Sequence, residues 1–535
     1  MPLSDRSDEM RKEKTETVKK SKPRRKNRGI LFSLLIFLGF FLYRLAAYAL
    51  DWAQENCEVS SFSQIVFHLK VPIEGTSRDM ITDFIKGFLR DSWAALLIAA
   101  ALAAVFIVLM SRKALEKRLT VRLTAKSGGE KSFSFLPLIK TALSISVIFA
   151  ILSQFSIAYK RFDVGEYIHD RNHTTTLYDD YYVSPEKVKI TFPEKKKNLI
   201  YIFCESMEMT YSSKEYGGDL KENLIPELTE IALENQSFSG RHTLGGAHAL
   251  ANSTWTSGGM VAQTSGVTLN FPLTEPPYTS SRKFLPGAVS IGEILRENGY
   301  NQTLIIGSNA EFGGREYYFK QHGNYDIFDL ESAKRLGKIP KNYYNGWGYE
   351  DEKLFQYAKE IISESAANED PFNVTLLTVD THFPNGIVCR NCGDKYDGQY
   401  KNVIACSSKQ IADFVGWIQK QSFADDTTVI ISGDHFTMSN TATEWMDKNY
   451  DRRTFVSVIN GPEPKTDEKR VYTTLDMFPT TLASLGCTIE GDRLGLGTNL
   501  YSDAPTLAEQ LGLSELNREL SLKSPYYEKN ILGGK

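Results

Sequence analysis

The chain has 535 residues, of which 42% are hydrophobic and 24% charged, which argues against a disordered or collagen-like protein. Its net charge of −3 argues against a nucleic-acid-binding protein, because binding to phosphate backbones requires a basic excess. Six cysteines in so long a chain exclude a scaffold built from disulfides.

The N-terminal segment, residues 1–28, is strongly basic, with eleven Lys or Arg and five Asp or Glu. It contains almost no large apolar side chain, so it cannot bury enough apolar area to fold. We therefore predict a solvated basic tail. An apolar run follows immediately, which argues against a nuclear localisation signal.

Three apolar runs within the first 160 residues have the length of a membrane-spanning helix. They are Ile30–Leu50, Trp93–Met110 and Leu136–Tyr159. A helix needs about 20 residues to cross the hydrocarbon core. The first run lacks a convincing signal-peptide cleavage site, so we expect it to be retained. These runs predict a membrane module over residues 29–160, with three buried core helices as the weaker alternative.

The charges of the connecting loops predict an orientation. Ser111–Lys131 contains seven basic and two acidic residues, whereas Asp51–Ser92 contains four basic and seven acidic ones. Cytoplasmic loops carry the excess of Lys and Arg. We therefore expect the N-terminus and the basic loop in the cytoplasm, and all residues after Tyr159 on the outer face.

The remaining chain has the pattern of an α/β domain. Residues 161–194 are polar and tyrosine-rich and are interpreted as a linker. The domain is expected over residues 195–505, and residues 506–535 are interpreted as a C-terminal tail. The predicted strands are Asn198–Phe203, Thr303–Ile306, Val374–Val379, Thr428–Ser432 and Phe455–Ile459. The helical patterns between them are Ile291–Asn298, Glu350–Ser363 and Lys409–Gln421. Continuous apolar strands that alternate with helices predict a mostly parallel central sheet.

Acidic residues and histidines follow several of these strands. The residues at the strand ends are Glu205, Ser308, Asp380, His382, Asp434 and His435, with Arg315 shortly after the second strand. Ligands of open α/β sheets bind beyond the carboxyl ends of the strands, so we expect these side chains to form a site. Carboxylates together with imidazole suit one divalent ion such as Mn²⁺, Mg²⁺ or Zn²⁺.

The segment Gly245–Gly266 is rich in Gly, Ser and Thr and offers a nucleophile. Composition alone is equally compatible with a flexible loop. The functional interpretation is a loop that opens a helix at Thr256, because a hydroxyl near a metal is activated and the helix N-terminus favours an incoming anion.

The cysteines of the domain give a weaker signal. Cys389 and Cys392 have the spacing of half a zinc or redox motif, but the second half is missing. In an exported domain a disulfide is favoured. Cys392 with Cys406 would close a small loop and Cys389 is the alternative partner, so the pairing stays open. Cys204 is predicted to be a small buried residue.

Several motifs together resemble a known family. They are FCES, TWTSGGMVAQTSG, DTHFPNG, IACSSKQIADFV, SGDHFTMSN and GLGTNL, in this order over residues 195–500. The set resembles the alkaline-phosphatase/sulfatase superfamily, in the branch of lipoteichoic acid synthases and of phosphoglycerol transferases that decorate osmoregulated periplasmic glucans. The three-span anchor is also similar to that branch. The resemblance implies a sulfatase-like domain in the bacterial cytoplasmic (inner) membrane, exposed at its outer face.

The resemblance also implies roles for individual residues. Glu205 corresponds to the metal-binding glutamate of the first strand motif, and Thr256 corresponds to the nucleophile, which also contacts the metal. Asp434 and His435 correspond to the Asp-His metal pair. For this branch Mn²⁺ is the expected ion, with Mg²⁺ and Zn²⁺ as alternatives.

Two further residues correspond to substrate-binding positions of the family. His382 corresponds to a histidine that contacts the substrate phosphate, and Arg315 to an arginine that binds glycerophosphate in lipoteichoic acid synthases. Those enzymes carry an aromatic residue just before the arginine, where this chain has Gly313. The formylglycine motif of sulfatases is absent around Thr256, which argues against hydrolysis of sulfate esters.

The activity implied is transfer of sn-glycerol 1-phosphate from phosphatidylglycerol to a cell-envelope glycan or teichoic polymer. Thr256 would carry the phosphoglycerol group covalently after diacylglycerol leaves. A phosphoethanolamine transferase or lipid phosphodiesterase of the same superfamily is the alternative, and a non-catalytic receptor is a third hypothesis. The expected partners are the donor lipid, the acceptor polymer and the bilayer, with no nucleic acid.

Overall fold

The computed structural model describes residues 24–56, 61–71, 78–111, 117–124, 130–240, 243–279, 281–343, 345–466 and 468–534. The predicted basic tail therefore lies outside the described residues as far as residue 23. Residues 112–116 and 125–129 of the basic loop lie outside them too.

Three long apolar helices dominate the N-terminal third of the described chain. They are α1 (Arg24–Asn56), α3 (Arg78–Ser111) and α4 (Leu136–Arg161), with the short α2 (Phe62–Lys70) between the first two. Their apolar stretches, Gly29–Gln54, Ile81–Leu109 and Leu136–Arg161, have the length and composition needed to cross a membrane. The prediction of three apolar helices is confirmed, although the second starts twelve residues before its predicted position. An antiparallel hairpin of β1 (Thr120–Thr124) and β2 (Glu130–Ser134) follows α3.

The chain forms two compact units. One contains residues up to Ala49 together with Ile85–Ile157, and the other contains Leu50–Phe84 together with Ala158 to the C-terminus. The connection between the first two apolar helices therefore belongs to the second unit. This assignment was not expected, because the sequence placed that connection in the membrane module.

A seven-stranded sheet forms the centre of the second unit. Its strands are β4 (Asn198–Cys204), β5 (Gly246–Ala247), β6 (Asn301–Ile306), β7 (Asp326–Phe328), β8 (Phe372–Leu377), β9 (Thr427–Gly433) and β10 (Thr454–Ile459), in the order β5-β10-β9-β4-β8-β6-β7. The five strands from β9 to β7 are parallel, and β10 is antiparallel to both of its neighbours. The predicted α/β fold with a mostly parallel sheet is confirmed. Predicted strand positions agree with the structure, except that β8 lies two residues earlier.

Helices and short strands complete the unit on both faces of the sheet. The helices are Val164–Asn172, Leu177–Tyr181, Pro226–Glu234, Thr256–Ser265, Ile291–Glu297, Arg315–Gln321, Leu330–Arg335, Asp351–Ala366, Gln399–Ile418, Asn440–Glu444, Met477–Ser484, Leu507–Leu511 and Leu513–Ser521. The remaining strands form two small antiparallel pairs, β3 (Ile190–Thr191) with β11 (Thr488–Ile489) and β12 (Arg493–Leu494) with β13 (Gly497–Thr498). Two large apolar clusters, one on each side of β4, form the core.

The segments that flank the predicted domain pack into the same core. Tyr178, from the predicted linker, and Tyr527, from the predicted tail, are both buried and their rings lie 5.1 Å apart. The Tyr527 hydroxyl also donates a hydrogen bond to the Thr268 carbonyl. The C-terminal segment is therefore an integrated part of the domain and not a separate tail, because its aromatic and leucine side chains complete the core.

Candidate functional site

The carboxyl ends of β4 and β9 bring the first residues of the site together. The two strands pair in register until Cys204 lies beside Gly433, so the residues that follow them meet at one edge of the sheet. Glu205 follows β4, and Asp434 and His435 follow β9. All three side chains are buried.

Hydrogen bonds to the main chain fix this arrangement. The Asp434 carboxylate accepts bonds from the amides of Ser206 (2.9 Å) and His435 (2.8 Å), which ties the two strand ends to each other. Ser206 has a φ of 51°, a backbone conformation that residues other than glycine rarely adopt. Its hydroxyl donates a hydrogen bond to the Glu205 carboxylate. The turn after β4 is thus held in a costly conformation that directs Glu205 into the site.

Four donor atoms converge at this point. The Nε2 atom of His435 lies 3.4 Å from Glu205 Oε1, 3.4 Å from Asp434 Oδ2 and 3.3 Å from Thr256 Oγ1. The Thr256 hydroxyl in turn lies 3.4 Å from Glu205 Oε2. The Nδ1 atom of His435 is bonded to the carbonyl of Phe436 at 2.8 Å, which leaves Nε2 available as a ligand.

These residues fit a divalent metal ion. Two carboxylates, an imidazole nitrogen and a hydroxyl are the ligands that Mn²⁺, Mg²⁺ or Zn²⁺ takes in proteins. Burial opposes ionisation of Glu205, but the charge and hydrogen bond of His435 outweigh it and lower its pKa to about 2. The glutamate is therefore ionised at neutral pH, as a metal ligand must be.

Thr256 is the first residue of the helix Thr256–Ser265, which confirms the expectation that this segment opens a helix. The helix closely approaches the segment Asp434-His435, which is called the ligand loop below. A Cβ atom on Gly259 would lie only 2.1 Å from the carbonyl oxygen of Asp434. Only glycine allows this contact. The backbone amides at the start of the helix are suited to an anion, and the hydroxyl of Thr256 lies beside them.

Glu205 and Thr256 open into a cleft. His382 lines it, with its ring 4.3 Å from that of Trp347 and its Nδ1 atom bonded to the carbonyl of Phe383 at 2.9 Å. Arg315 lines it as well, and its guanidinium donates to the carbonyl of Asn309 at 2.9 Å. The cleft therefore combines the Thr256 hydroxyl, the Glu205 carboxylate, two imidazoles and a guanidinium.

Gly313, two residues before Arg315, stands where the backbone and its neighbours leave no room for an aromatic side chain. Its φ is 67°, and a Cβ atom there would lie 2.7 Å from the hydroxyl of Ser257, which donates to the Gly313 carbonyl. The apolar wall of the cleft is instead supplied by Phe312 and Trp347, whose rings lie 5.5 Å apart.

Asp380 does not line the cleft. Its carboxylate accepts the amide of Asp351, and the Asp351 carboxylate accepts the amides of Val379 and Asp380. Burial and the neighbouring Asp351 raise the pKa of Asp380 to about 10, so one proton is retained by the pair. The pair shapes the turn that carries His382.

The structure also brings three cysteines together. The sulfur of Cys389 lies 3.7 Å from that of Cys392 and 3.6 Å from that of Cys406, and the three thiols are not bonded to one another. Hydrogen bonds from the two neighbouring thiols lower the pKa of Cys389. Cys204 is buried at the end of β4, as expected.

Of the six predicted site residues, Glu205, Thr256, Arg315 and His382 line the cleft. Asp434 and His435 do not line it, but their ligand atoms converge with that of Glu205. Sequence reasoning missed three further residues of the cleft wall, His68, Phe312 and Trp347. The phenylalanine and the tryptophan lie in loops without regular periodicity, and His68 lies in a segment assigned to the membrane module. A count of aromatic residues in loops that follow strands would have found Phe312 alone.

Curated relatives include "Phosphoglycerol transferase I" of Salmonella choleraesuis (strain SC-B67), 33% identical over 330 residues, and of Escherichia coli (strain SMS-3-5 / SECEC), 34% identical over 330 residues. Each match covers 60% of this chain and 41% of the relative. The chain therefore spans less than half the length of the curated relatives that it matches.

Similar solved structures include the lipoteichoic acid synthase LtaP from Listeria monocytogenes, with 18% identity and a TM-score of 0.45 over 61% of this chain and 81% of that one. The C-terminal periplasmic domain of EcEptC from Escherichia coli is 11% identical, with a TM-score of 0.42 over 60% of this chain and 91% of that one. The sulfatase family model matches residues 197–487, which is more than half of the chain and contains Glu205, Thr256, Asp434 and His435. The chain therefore belongs to the sulfatase family.

Proposed function

We propose that this chain is a membrane-bound phosphoglycerol transferase that moves sn-glycerol 1-phosphate from phosphatidylglycerol to a cell-envelope glycan or teichoic polymer. The observation that carries the proposal is the position of the Thr256 hydroxyl, within 3.4 Å of both Glu205 and His435 and at the floor of a cleft that also contains Arg315. The names of the curated relatives support the same reaction class.

The residues suggest a two-step transfer. Thr256 Oγ1 attacks the phosphorus of the donor in line and the bond from phosphorus to the diacylglycerol oxygen breaks. The proton lost by the Thr256 hydroxyl is transferred to that oxygen, and diacylglycerol leaves. The hydroxyl of the acceptor then attacks the phosphorus of the phosphoglyceryl-Thr256 ester, its proton is released, and Thr256 recovers its hydroxyl. A covalent intermediate divides one difficult displacement into two easier ones.

Glu205, Thr256, Asp434 and His435 are the residues that would hold a divalent ion, which we propose to be Mn²⁺. When bound, the ion stabilises charge on the phosphoryl oxygens. Arg315 supplies a fixed positive charge for the phosphodiester anion, and the His382 imidazole supplies a donor or a proton carrier at the same cleft. Both side chains are less than a tenth exposed, so their interactions with an anion are little screened by water.

We also propose that the catalytic domain lies on the outer face of the bacterial cytoplasmic membrane, with the N-terminus in the cytoplasm. Three membrane-capable helices and the excess of basic residues in the 111–131 loop support this orientation. A donor that resides in the bilayer gives the anchor a purpose that a soluble donor would not require.

The test is release of diacylglycerol from fluorescent phosphatidylglycerol by the purified full-length chain with Mn²⁺. The wild type is expected to release it, and Thr256→Ala to lose at least about a thousandfold of that rate because the nucleophile is gone. Thr264→Ala is the matched control, since Thr264 lies on the same helix, bonds to the Met260 carbonyl and does not line the cleft.

Two results would contradict the proposal. Cleavage of phosphatidylethanolamine in place of phosphatidylglycerol would assign the chain to the phosphoethanolamine transferases. Cleavage of neither lipid by protein with bound metal would favour a non-catalytic role.

A further inference from the structure

The short helix α2 lies in the chain between the first two membrane-capable helices, yet it packs on the catalytic domain. Ser61 and Gln64 form a capping box at its start, which fixes where the helix begins. Val66 and Phe67, on one face, are fully buried. A nine-residue helix is marginal alone, so its buried face must supply its stability.

Specific contacts hold α2 beside the nucleophile. The Phe67 ring lies 5.6 Å from that of Trp255, the residue directly before Thr256, and 5.8 Å from that of Phe271. The Lys70 ammonium donates to the carbonyl of Leu273 at 2.7 Å. The helix is therefore seated against the segment that positions Thr256.

This seating places His68 at the wall of the catalytic cleft. His68 lines the same cleft as Glu205, Thr256 and Arg315, and its ring centroid lies 5.9 Å from that of Phe312. It is half-buried, whereas its neighbour Leu69 is 60% exposed. An imidazole can donate a hydrogen bond to a phosphoryl oxygen or accept one from a hydroxyl.

We infer that His68 is a substrate-binding residue that hydrogen-bonds a glycerol hydroxyl in the headgroup of the lipid donor. The inference rests on the proposed function and extends it to a residue outside the matched sulfatase region, which begins at 197. The segment that contains α2 and completes the cleft is joined along the chain to a membrane-capable helix on each side. We therefore assign His68 to binding of the lipid donor and not of the acceptor polymer.

The test uses the full-length chain with Mn²⁺ and compares His68→Ala, His68→Gln and the control Ser63→Ala, a site on the same helix that does not line the cleft. Two quantities are measured: binding of sn-glycerol 1-phosphate by calorimetry, and kcat and KM for phosphatidylglycerol in vesicles beside soluble bis(4-nitrophenyl) phosphate. His68→Ala is expected to weaken binding and to lower kcat/KM for the lipid about tenfold, mainly through KM, as for a lost hydrogen bond to a hydroxyl.

Three further results are expected. Hydrolysis of the soluble diester, which lacks a glycerol headgroup, changes by less than about threefold. His68→Gln recovers part of the loss because its amide retains a donor and an acceptor. Ser63→Ala behaves as the wild type.

Two results would overturn the inference while the wild type is active on phosphatidylglycerol. One is His68→Ala with the binding and kinetics of Ser63→Ala. The other is an equal loss on both substrates that His68→Gln does not restore, which is the signature of a merely structural role. Failure of the proposed function is separate, because it appears in the wild type as no release of diacylglycerol from phosphatidylglycerol.

Discussion

Two clusters in the sulfatase-family domain satisfy the same geometric condition for binding a metal, yet their surroundings differ. Glu205, Asp434 and His435 bring three ligand atoms within 4.8 Å of one another, and so do Cys389, Cys392 and Cys406. The first cluster lies at the carboxyl ends of parallel strands, beside a hydroxyl at a helix N-terminus and a cleft with a guanidinium. The second consists of thiols alone and does not line that cleft.

The difference shows that converging ligand atoms do not by themselves define a reaction centre. The oxygen and nitrogen cluster is fixed by hydrogen bonds to the main chain, and its Glu205 also lines the cleft. The thiol cluster has soft ligands whose alternative chemistry, in an oxidising compartment, is disulfide formation. The following predictions test whether the two clusters have these separate roles.

The largest effect is expected from loss of a ligand in the first cluster. Asp434→Asn should lower the rate of diacylglycerol release about a thousandfold, because the buried anion that balances a divalent ion is removed. Bound metal, measured by elemental mass spectrometry, should fall from about one ion per chain to near zero in the same variant. The comparison fails if a variant with Ser at Cys389, Cys392 and Cys406 loses the metal and Asp434→Asn keeps it.

A smaller loss of activity is expected from a substitution of Arg315, which lines the cleft beside that cluster. Arg315→Ala should lower kcat/KM for phosphatidylglycerol about a hundredfold, since a buried positive charge that faces a phosphodiester is lost. Arg315→Lys should recover part of the activity, because the charge stays while the planar fork and the bond to the Asn309 carbonyl are lost. Equal activities of the Ala variant and the wild type would exclude Arg315 from substrate binding.

The thiol cluster should respond to oxidation and not to metal. The lowered pKa of Cys389 favours its thiolate, which attacks a disulfide oxidant such as oxidised glutathione; a second thiol then displaces glutathione. Peptide mapping should find one disulfide that contains Cys389, with a gain of about 2 kcal/mol in unfolding free energy. A disulfide between Cys392 and Cys406, with Cys389 alkylated, would contradict this prediction.

The smallest effect is expected at a buried ion pair away from both clusters. Burial opposes ionisation of Glu293, but hydrogen bonds and charges from His322 and Lys283 outweigh it and lower its pKa to about 2. Because the pKa of Glu293 is lower in the folded than in the unfolded state, its ionised carboxylate stabilises the fold at pH values above 4.5, its ordinary pKa. That stability is lost as the pH falls towards 2.

Glu293→Gln keeps the capping interaction of its helix and removes the titration. Over that pH range the wild type should lose about 1–2 kcal/mol of unfolding free energy relative to the variant, after allowance for solvent screening. The measurement is urea unfolding of both proteins in micelles at several pH values. Parallel pH profiles would contradict the assignment.

Local patterns predicted much of this domain. The buried strands β4, β9 and β10 have continuous apolar sequences, and the rule that parallel strands end at one edge was enough to group Glu205 with Asp434 and His435. Boundaries were less well predicted: the helix Gln399–Ile418 starts ten residues before its predicted position, in a stretch whose polar residues obscure the period.

Contacts between distant segments were beyond the sequence. His68 reaches the cleft only because Phe67 packs against Trp255, nearly 190 residues later in the chain. Tyr178 and Tyr527 join the core from opposite ends of the domain, where composition suggested a linker and a tail. Periodicity describes one element at a time, so it does not show which elements meet.

The close approach at Gly259 has a consequence for how such an enzyme can diversify. The helix that begins with Thr256 touches the ligand loop through main-chain atoms, with no side chain between them. The spacing between Thr256 and the ligand residues Asp434 and His435 is therefore insensitive to substitutions elsewhere in the cleft. Phe312, Trp347 and His68 come from loops and from a separate helix, so these wall residues can change in evolution while the main-chain contact at Gly259 is kept.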